Sequence, residues 1–260
     1  MATGKAGGAT GGVNSVARAI EILKALAGAA DGELTLAEIA ARTGLPTSTV
    51  HRIVQTLREE QFVASVGGAG GLRLGPGLAR LAAISRSRLV PMVRPFLEQL
   101  SHTLDEGASL AVLDGEEVRF LDQAIASHGL RAVSLVGSTF PAHCTANGKA
   151  LLAALPEQVL EATLPRRLQK LTPHTITSRA ALLEELATVR ERGVAFDREE
   201  HAVGISAAGV TVHDAVGNLA AITVAMPALP FGEREVEVVA ELTRTAERVS
   251  AALAFTSDLP

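Results

Sequence analysis

Ser48, Arg52, Gln55 and Thr56 stand at i, i+4, i+7 and i+8 between Thr47 and Glu59. At 100° per residue they share one side of a helix, and all four carry compact hydrogen-bonding groups. Arg and Gln are side chains whose paired donors and acceptors match base edges in the DNA major groove. Val50, Ile53, Val54 and Leu57 form the opposite, apolar side. The competing reading of the same residues is a helical hairpin with a polar surface. Other residues have types that could do covalent or metal chemistry. His143 and Cys144 are adjacent, and a thiolate beside an imidazole is a nucleophile. No third orienting group accompanies them, so a small buried thiol is the simpler account. Ala146-Asn147-Gly148-Lys149 lacks the first Gly and the closing hydroxyl of a phosphate loop. His201, beside Glu199 and Glu200, is the nearest approach to a metal set, and a solvated loop accounts for it better. Asp197 ends the apolar entry Val194-Ala195-Phe196. On composition alone it reads as a solvated strand-end carboxylate.

The elements around the first set are legible. Thr35 and Glu38 have the spacing of a capping box, and Leu36, Ile39 and Ala40 give the helix that follows one apolar face. Gly44 stops that helix, and Pro46 suits the first turn of the next. Upstream, Asn14 or Ser15 can cap a helix carrying Val16, Ala19, Ile20, Leu23 and Leu26 on one side. Downstream, Phe62-Val63-Ala64 and Leu72-Arg73-Leu74 flank the Gly-rich Ser65–Gly71 and read as a β-hairpin wing. Three helices and a wing make a winged helix-turn-helix, mainly α with a β-wing.

The rest of the chain reads as an α+β domain. Gly75-Pro76-Gly77 punctuates the wing, and a linker helix runs from Leu78 to about Ser87 before Pro91 and Pro95 interrupt it. A new helix then carries Phe96, Leu97, Leu100 and Leu104. Asp114-Gly115 lies between two alternating runs as a hairpin turn. Strands are expected at Leu130–Val136, Val194–Asp197, Ile205–His213 and Leu219–Met226, with a turn at Val216-Gly217-Asn218. Helices are expected at Thr145–Leu155, from Pro156 to about Leu164, and at Ala180–Arg192, stopped by Gly193. A long amphipathic helix, Glu233–Phe255, closes the chain through Val236, Val239, Ala240, Leu242, Ala246, Val249 and Leu253.

Composition narrows the class. The 260 residues can hold two domains, and no apolar run reaches the roughly 18 residues that span a bilayer. The Gly/Ala/Thr-rich start has no apolar h-region and reads as a flexible tail. One cysteine excludes a disulfide framework and fits a reducing cytoplasm. The net charge of −4 excludes a general DNA coat. Residues 1–73 carry seven basic and six acidic side chains, so phosphate contacts must come from a few placed residues. Those are Arg18, Arg42, Arg52 and Arg73, with Thr47, Thr49 and His51 beside them.

The chain resembles the IclR family of bacterial transcriptional regulators over residues 12 to 255. The matching stretches include NSVARAIEILKAL, LAEIAARTGLPTSTVHRIVQTL and LRLGPGLARLA. They continue with VLDGEEVRFLDQ, VGSTFPAHCTANGKALLA, LTPHTIT, VRERGVAFDREEHAVGISAAGV and AAITVAMPAL. The resemblance implies a tail over 1–12, a winged helix-turn-helix over 13–75, a linker helix over 76–90 and a GAF-like effector domain with an antiparallel sheet over 91–256. It implies an operator of double-stranded DNA, a small-molecule effector, no cofactor, and a homodimer or dimer of dimers. The first helix, through Leu23 and Leu26, and the linker helix are the expected dimer surfaces. The recognition helix would read bases through Ser48, Arg52 and Gln55. The effector pocket would be lined by Ala146 and Asn147, by Asp197, by Ala207, and by Thr223 and Ala225. Members that bind small 2-oxo acids carry Cys at the position of Ala207 and Ser at that of Ala225, whereas Asn147 replaces a common Ala. These departures imply a ligand larger and less polar than glyoxylate or pyruvate, such as an aromatic or aliphatic acid or a lactone. The rival reading is a small-metabolite enzyme that uses the Cys144 and Asp197 region, its N-terminal part serving oligomerisation.

Overall fold

The computed structural model describes residues 11–29, 32–66, 70–125, 136–213 and 219–255. Contacts divide the chain into two compact units, Met1–Arg86 and Ser87–Pro260. In the first unit, α1 (Gly11–Ala27), α2 (Leu36–Thr43) and α3 (Thr47–Glu59) precede the antiparallel hairpin of β1 (Val63–Val66) and β2 (Gly71–Leu74). The capping box at α2 is closed in both directions. Thr35 N–H donates to Glu38 Oε2 at 2.7 Å, and Glu38 N–H donates to Thr35 Oγ1 at 3.3 Å. Gly44 ends the helix with φ of 67°, a conformation that only glycine enters cheaply. Ile22, Leu26, Ile39, Val50, Val54, Leu57, Val63 and Leu72 close the core. Helix α1 begins at Gly11, a turn ahead of the expected caps at Asn14 and Ser15. Its free first-turn N–H groups need only water. Leu26 is 2% exposed and faces this core, so it is not part of a dimer surface; Val16 and Ile20 are the exposed apolar residues of α1.

Helix α4 (Pro76–Leu104) starts in the first unit, its stretch from Ser87 onward belongs to the second, and it runs unbroken through Pro91 and Pro95. The expected interruption does not occur. The two prolines stand four residues apart on the exposed side, where water can serve the carbonyls they orphan. Val93, Leu97, Leu100 and Leu104 on the other side stay locked in the core. Six antiparallel strands follow: β3 (Gly107–Asp114), β4 (Glu117–Ala124), β5 (Thr139–Pro141), β6 (Ala195–Arg198), β7 (Ile205–His213) and β8 (Leu219–Pro227). Their spatial order is β5-β4-β3-β8-β7-β6. The β3–β4 turn falls on Gly115-Glu116, since Asp114 still pairs with Glu117. The short β5 was not anticipated. The strand expected at Leu130–Val136, apart from its last residue, and the turn at 216–218 lie outside the described residues.

Period-two alternation sends the two sheet faces to different partners. Leu110, Val112, Val210, Ile222 and Val224 pack against α4 and α8 (Ala228–Phe255). Ala111, Ala195 and Ala221 meet the other layer, α5 (Ala146–Ala153), α6 (Glu157–Thr163) and α7 (Arg179–Arg192). Helix α8 starts five residues earlier than expected. Val236 is not on its buried stripe but 85% exposed, because Phe231, Val238, Leu242, Val249 and Leu253 set the inward face. No helix among the described residues is long and apolar enough to cross a membrane.

Thr35→Ala should lower the unfolding free energy by about 1 kcal/mol, read as a reduced urea midpoint at unchanged m. Thr35 holds the Glu38 carboxyl below its ordinary pKa through backbone and side-chain hydrogen bonds. The cap's contribution is therefore present above the unfolded-state pKa of Glu38 and fades as pH falls through the folded value. An unchanged midpoint at neutral pH would contradict this account of the cap.

Candidate functional site

Helix α3 presents Thr47, Ser48, His51, Arg52 and Gln55 to solvent, and β2 presents Arg73. Thr49 and Arg18 are half-buried. Arg42 is exposed but donates from Nη1 to the Gly28 carbonyl at 3.3 Å, tying the end of α2 to the end of α1. Thr56 turns its hydroxyl onto the Arg52 carbonyl of its own helix at 3.3 Å. The outer side of α3 is thus a ridge of small polar residues around one guanidinium and one amide, with Val50, Val54 and Leu57 anchoring it from behind.

The second candidate lies under the N-terminus of α5. Strand register puts Asp197 opposite Ala207 and Ala207 opposite Ala225, one row across β6, β7 and β8. The next row runs Gly209, Thr223 and Ser109. These residues share a face and are mostly small, so they leave space above the sheet. Helix α5 crosses that face. A Cβ on Gly209 would lie 2.8 Å from the backbone carbon of Ala146, and one on Gly148 would lie 2.2 Å from the Ala142 carbonyl oxygen. Only glycine permits either approach. What remains between helix and sheet is a cavity of about 280 Å³. All six residues expected to hold an effector line it: Ala146, Asn147, Asp197, Ala207, Thr223 and Ala225. Ser109, Phe120, Phe140, Thr145, His201, Ala202 and Ile205 complete the wall.

Two residues of the lining each bury a polar atom that has no protein partner, Asn147 Nδ2 and Thr223 Oγ1. Asn147 is 2% exposed, and its Oδ1 is already taken by the Gly148 N–H at 2.9 Å. A buried donor without an acceptor costs roughly 1–3 kcal/mol, so a ligand that supplies one is favoured. Asp197 Oδ1 accepts the N–H groups of Glu200 and His201 at 2.7 and 3.3 Å. Those bonds favour the charged form, yet burial outweighs them and the carboxyl is pushed up to about 7, with Glu200 adding like-charge repulsion. It is a buried, titratable group at a cavity wall, not the solvated strand end that composition suggests.

The loop after β6 is held from two sides. Lys149 is 1% exposed and donates to Glu185 at 3.0 Å and to Glu200 at 2.5 Å. Thr172 donates to the Glu199 carbonyl at 2.7 Å, and Thr175 donates to the Glu200 carbonyl at 2.6 Å. With this loop fixed, His201 stacks on Phe140 at 4.3 Å, and Phe140 meets Phe120 edge-on at 5.2 Å. His201 is therefore a half-buried wall residue and not part of a solvated loop. The sequence reading missed this support. Its signals were a lone Lys among small apolar residues in ANGKALLA, which must find a carboxylate, and two Thr three apart in LTPHTIT.

The covalent candidates separate. His143 Nε2 is engaged with the Gln169 carbonyl at 2.9 Å. Cys144 is fully buried, its thiol against the Pro141 carbonyl at 3.6 Å. Burial pushes that thiol up to about 12, and Asp197 and Glu200 reinforce the shift, so it holds its proton. No group of three or more potential metal ligands occurs among the described residues.

A winged helix-turn-helix with a polar ridge on α3, together with an α+β unit that holds a cavity between helix and sheet, is the architecture of a one-component transcriptional regulator. Comparisons specify the family. Residues 15–67 match the IclR helix-turn-helix domain, and residues 81–251 match the C-terminal domain of bacterial IclR regulators. The chain is 45% identical to the HTH-type transcriptional regulator Rv1719 of Mycobacterium tuberculosis over 96% of both proteins. It is 34% identical to the transcriptional repressor IclR of Escherichia coli, over 79% of this chain and 77% of that one. An IclR homologue from Microbacterium hydrocarbonoxydans, solved with 4-hydroxybenzoate, superposes with a TM-score of 0.59 at 26% identity, covering 92% of this chain and 98% of that one. The chain belongs to the IclR family and is a ligand-responsive, DNA-binding transcriptional regulator.

Asp197→Asn should flatten part of the pH dependence of stability. Asp197 is raised from 3.8 to about 7, so the folded state binds its proton more tightly and stability falls as pH rises between those values. From pH 5 to pH 8 the wild type should lose roughly 2 kcal/mol more than the Asn variant, measured by urea denaturation. Parallel losses in both proteins would show that Asp197 is not desolvated as described.

Proposed function

We propose that this regulator acts as a repressor whose DNA affinity is set by a small organic molecule in the cavity between α5 and the sheet. Two partnerless buried atoms, Asn147 Nδ2 and Thr223 Oγ1, on residues that line a cavity of about 280 Å³ carry this reading. An apolar cavity of about 150 Å³ accepts a benzene, so this one has room for a substituted ring. Ala207 and Ala225 make its floor small and apolar, which suits a ligand larger and less polar than glyoxylate or pyruvate. The N-terminus of α5 adds unpaired backbone donors beside Asn147. The 4-hydroxybenzoate bound by the Microbacterium homologue supports an aromatic occupant, and repression follows the Escherichia coli relative.

Helix α3 would enter the major groove with Ser48, Arg52 and Gln55 toward base edges. Thr47, Thr49, His51, Arg18, Arg42 and Arg73 would contact phosphates. One short helix reads few bases, so a homodimer, or a pair of dimers, would set two heads about 34–36 Å apart. Ligand would act by preferring one head spacing over another. A protonated Cys144 and a committed His143 argue against catalysis, and DNA as the target argues for the cytoplasm.

Arg52→Ala should weaken binding to the cognate operator by about 1–3 kcal/mol, with little change on scrambled duplex. Fluorescence anisotropy with the DNA upstream of its own gene measures both. Equal losses on the two duplexes would remove Arg52 from base reading and leave it a phosphate contact.

A further inference from the structure

The cavity has polar atoms in need of partners but no cation to offer. Ser109, Thr145, Asn147, Asp197, His201 and Thr223 are its polar lining residues, and no Lys or Arg is among the described residues that line it. Burial holds the His201 imidazole below its ordinary range and so disfavours a positive charge there. The nearest ammonium, Lys149, is committed to Glu185 and Glu200, and Glu200 Oε2 still lacks a partner. That cluster has no positive charge to spare. The N-terminus of α5 counts for about half a charge, whereas Asp197 supplies a whole negative one when ionised.

We propose that the cavity selects an uncharged ring compound bearing a hydroxyl over the carboxylate of the same shape, a refinement that rests on the cavity being the effector site. A neutral hydroxyl can donate to one of these polar groups and accept from another. It donates to the Asp197 carboxylate and accepts from Asn147 Nδ2 or from the Thr223 hydroxyl, so that orphaned donor gains an acceptor. Phe120, Phe140, Ile205 and the alanines take the ring. A carboxylate would bring a second negative charge against Asp197 inside a dry wall, where like charges cannot both stay ionised. It enters only when Asp197 or the ligand carries a proton, already present on Asp197 at pH 6 and taken from solvent at pH 8.

Around Asp197, the two loop N–H groups and the Lys149 ammonium favour its charge, and burial outweighs them. Glu200 on its own loop adds negative charge, and burial disfavours a positive one on His201. From α5 comes only the paired Lys149, from α7 Glu185, and from the turn before α5 the protonated thiol of Cys144. On β7 and β8, the facing Ala207 and Ala225 carry no charge. The Asp197 carboxyl itself sits at about 7, near enough to neutrality to take that proton.

Calorimetry on the full chain with 4-hydroxybenzyl alcohol and 4-hydroxybenzoate, at pH 6 and pH 8 in buffers of different ionisation enthalpy, tests this. At pH 8 the alcohol should bind about tenfold tighter or better, and benzoate binding should take up a proton at pH 8, lose that uptake at pH 6 and tighten about tenfold between the two. In Asp197→Asn, checked for folding by circular dichroism, the gap should shrink and the benzoate should lose its pH dependence. If that variant does not fold, the wild-type pH profile decides alone. Benzoate binding at pH 8 as tight as the alcohol, without proton uptake, overturns the proposal and leaves the effector cavity standing. Failure of both compounds, and of 6-(hydroxymethyl)-2-naphthol and 6-hydroxy-2-naphthoate, overturns the effector-cavity reading and the proposal with it.

Discussion

Gly209 on β7 lies under the first turn of α5, where any Cβ would fall within 3 Å of the backbone of Ala146 and Asn147. Gly148 makes the same concession on the helix side, against Ala142. A helix that touches a sheet backbone to backbone cannot fill the volume beside the contact with side chains. The neighbouring rows, Asp197-Ala207-Ala225 and Thr223-Ser109, are too small to fill it from below. The cavity is therefore a consequence of close packing at two glycines. The same approach buries Asn147 at the helix start and leaves its amide donor without a protein acceptor. A side chain at either glycine would lift the helix and remove the geometry on which every other property of the site depends.

Charge is managed outside the cavity so that its walls stay in place. Lys149 faces away from the ligand space, into Glu185 and Glu200, and removing one member of such a buried pair typically costs about 3–5 kcal/mol. Thr172 and Thr175 fasten the carbonyls of the same loop. The loop in turn supplies the two N–H groups that hold Asp197 and the imidazole that stacks on Phe140. Walls ordered before the ligand arrives reduce the entropy lost on binding. The recognition helix is built on the same economy, its apolar stripe sunk in the head core and its polar ridge left without structural duties apart from Thr56.

The head was legible because its signals are local. A capping box, a glycine stop and a 3.6-residue stripe need no knowledge of the rest of the chain, and they placed α2 and α3 to within a residue. The strands of the larger unit were readable from alternation for the same reason. Pro91 and Pro95 misled because a proline's effect depends on which side of the helix it faces, and only the packing of Val93, Leu97 and Leu100 settles that. Val236 misled because an apolar residue near a stripe is not on it until a partner layer fixes the phase. At the site, the lining residues came through the family resemblance. What could not be read locally was the partnership of Lys149 with residues 36 and 51 positions away, the threonine clasp, and the consequent burial of His201. Each depends on distant segments meeting.

The account stands on Asn147 and Thr223 being kept partnerless for a ligand. A crystal structure of the protein soaked with 4-hydroxybenzyl alcohol tests this most directly. It should show the ring between Phe140 and Ala225, with the ligand oxygen within hydrogen-bond distance of Asn147 Nδ2 or Thr223 Oγ1. A ligand bound elsewhere, or a cavity closed by Asn147 turning onto a protein acceptor, would contradict it.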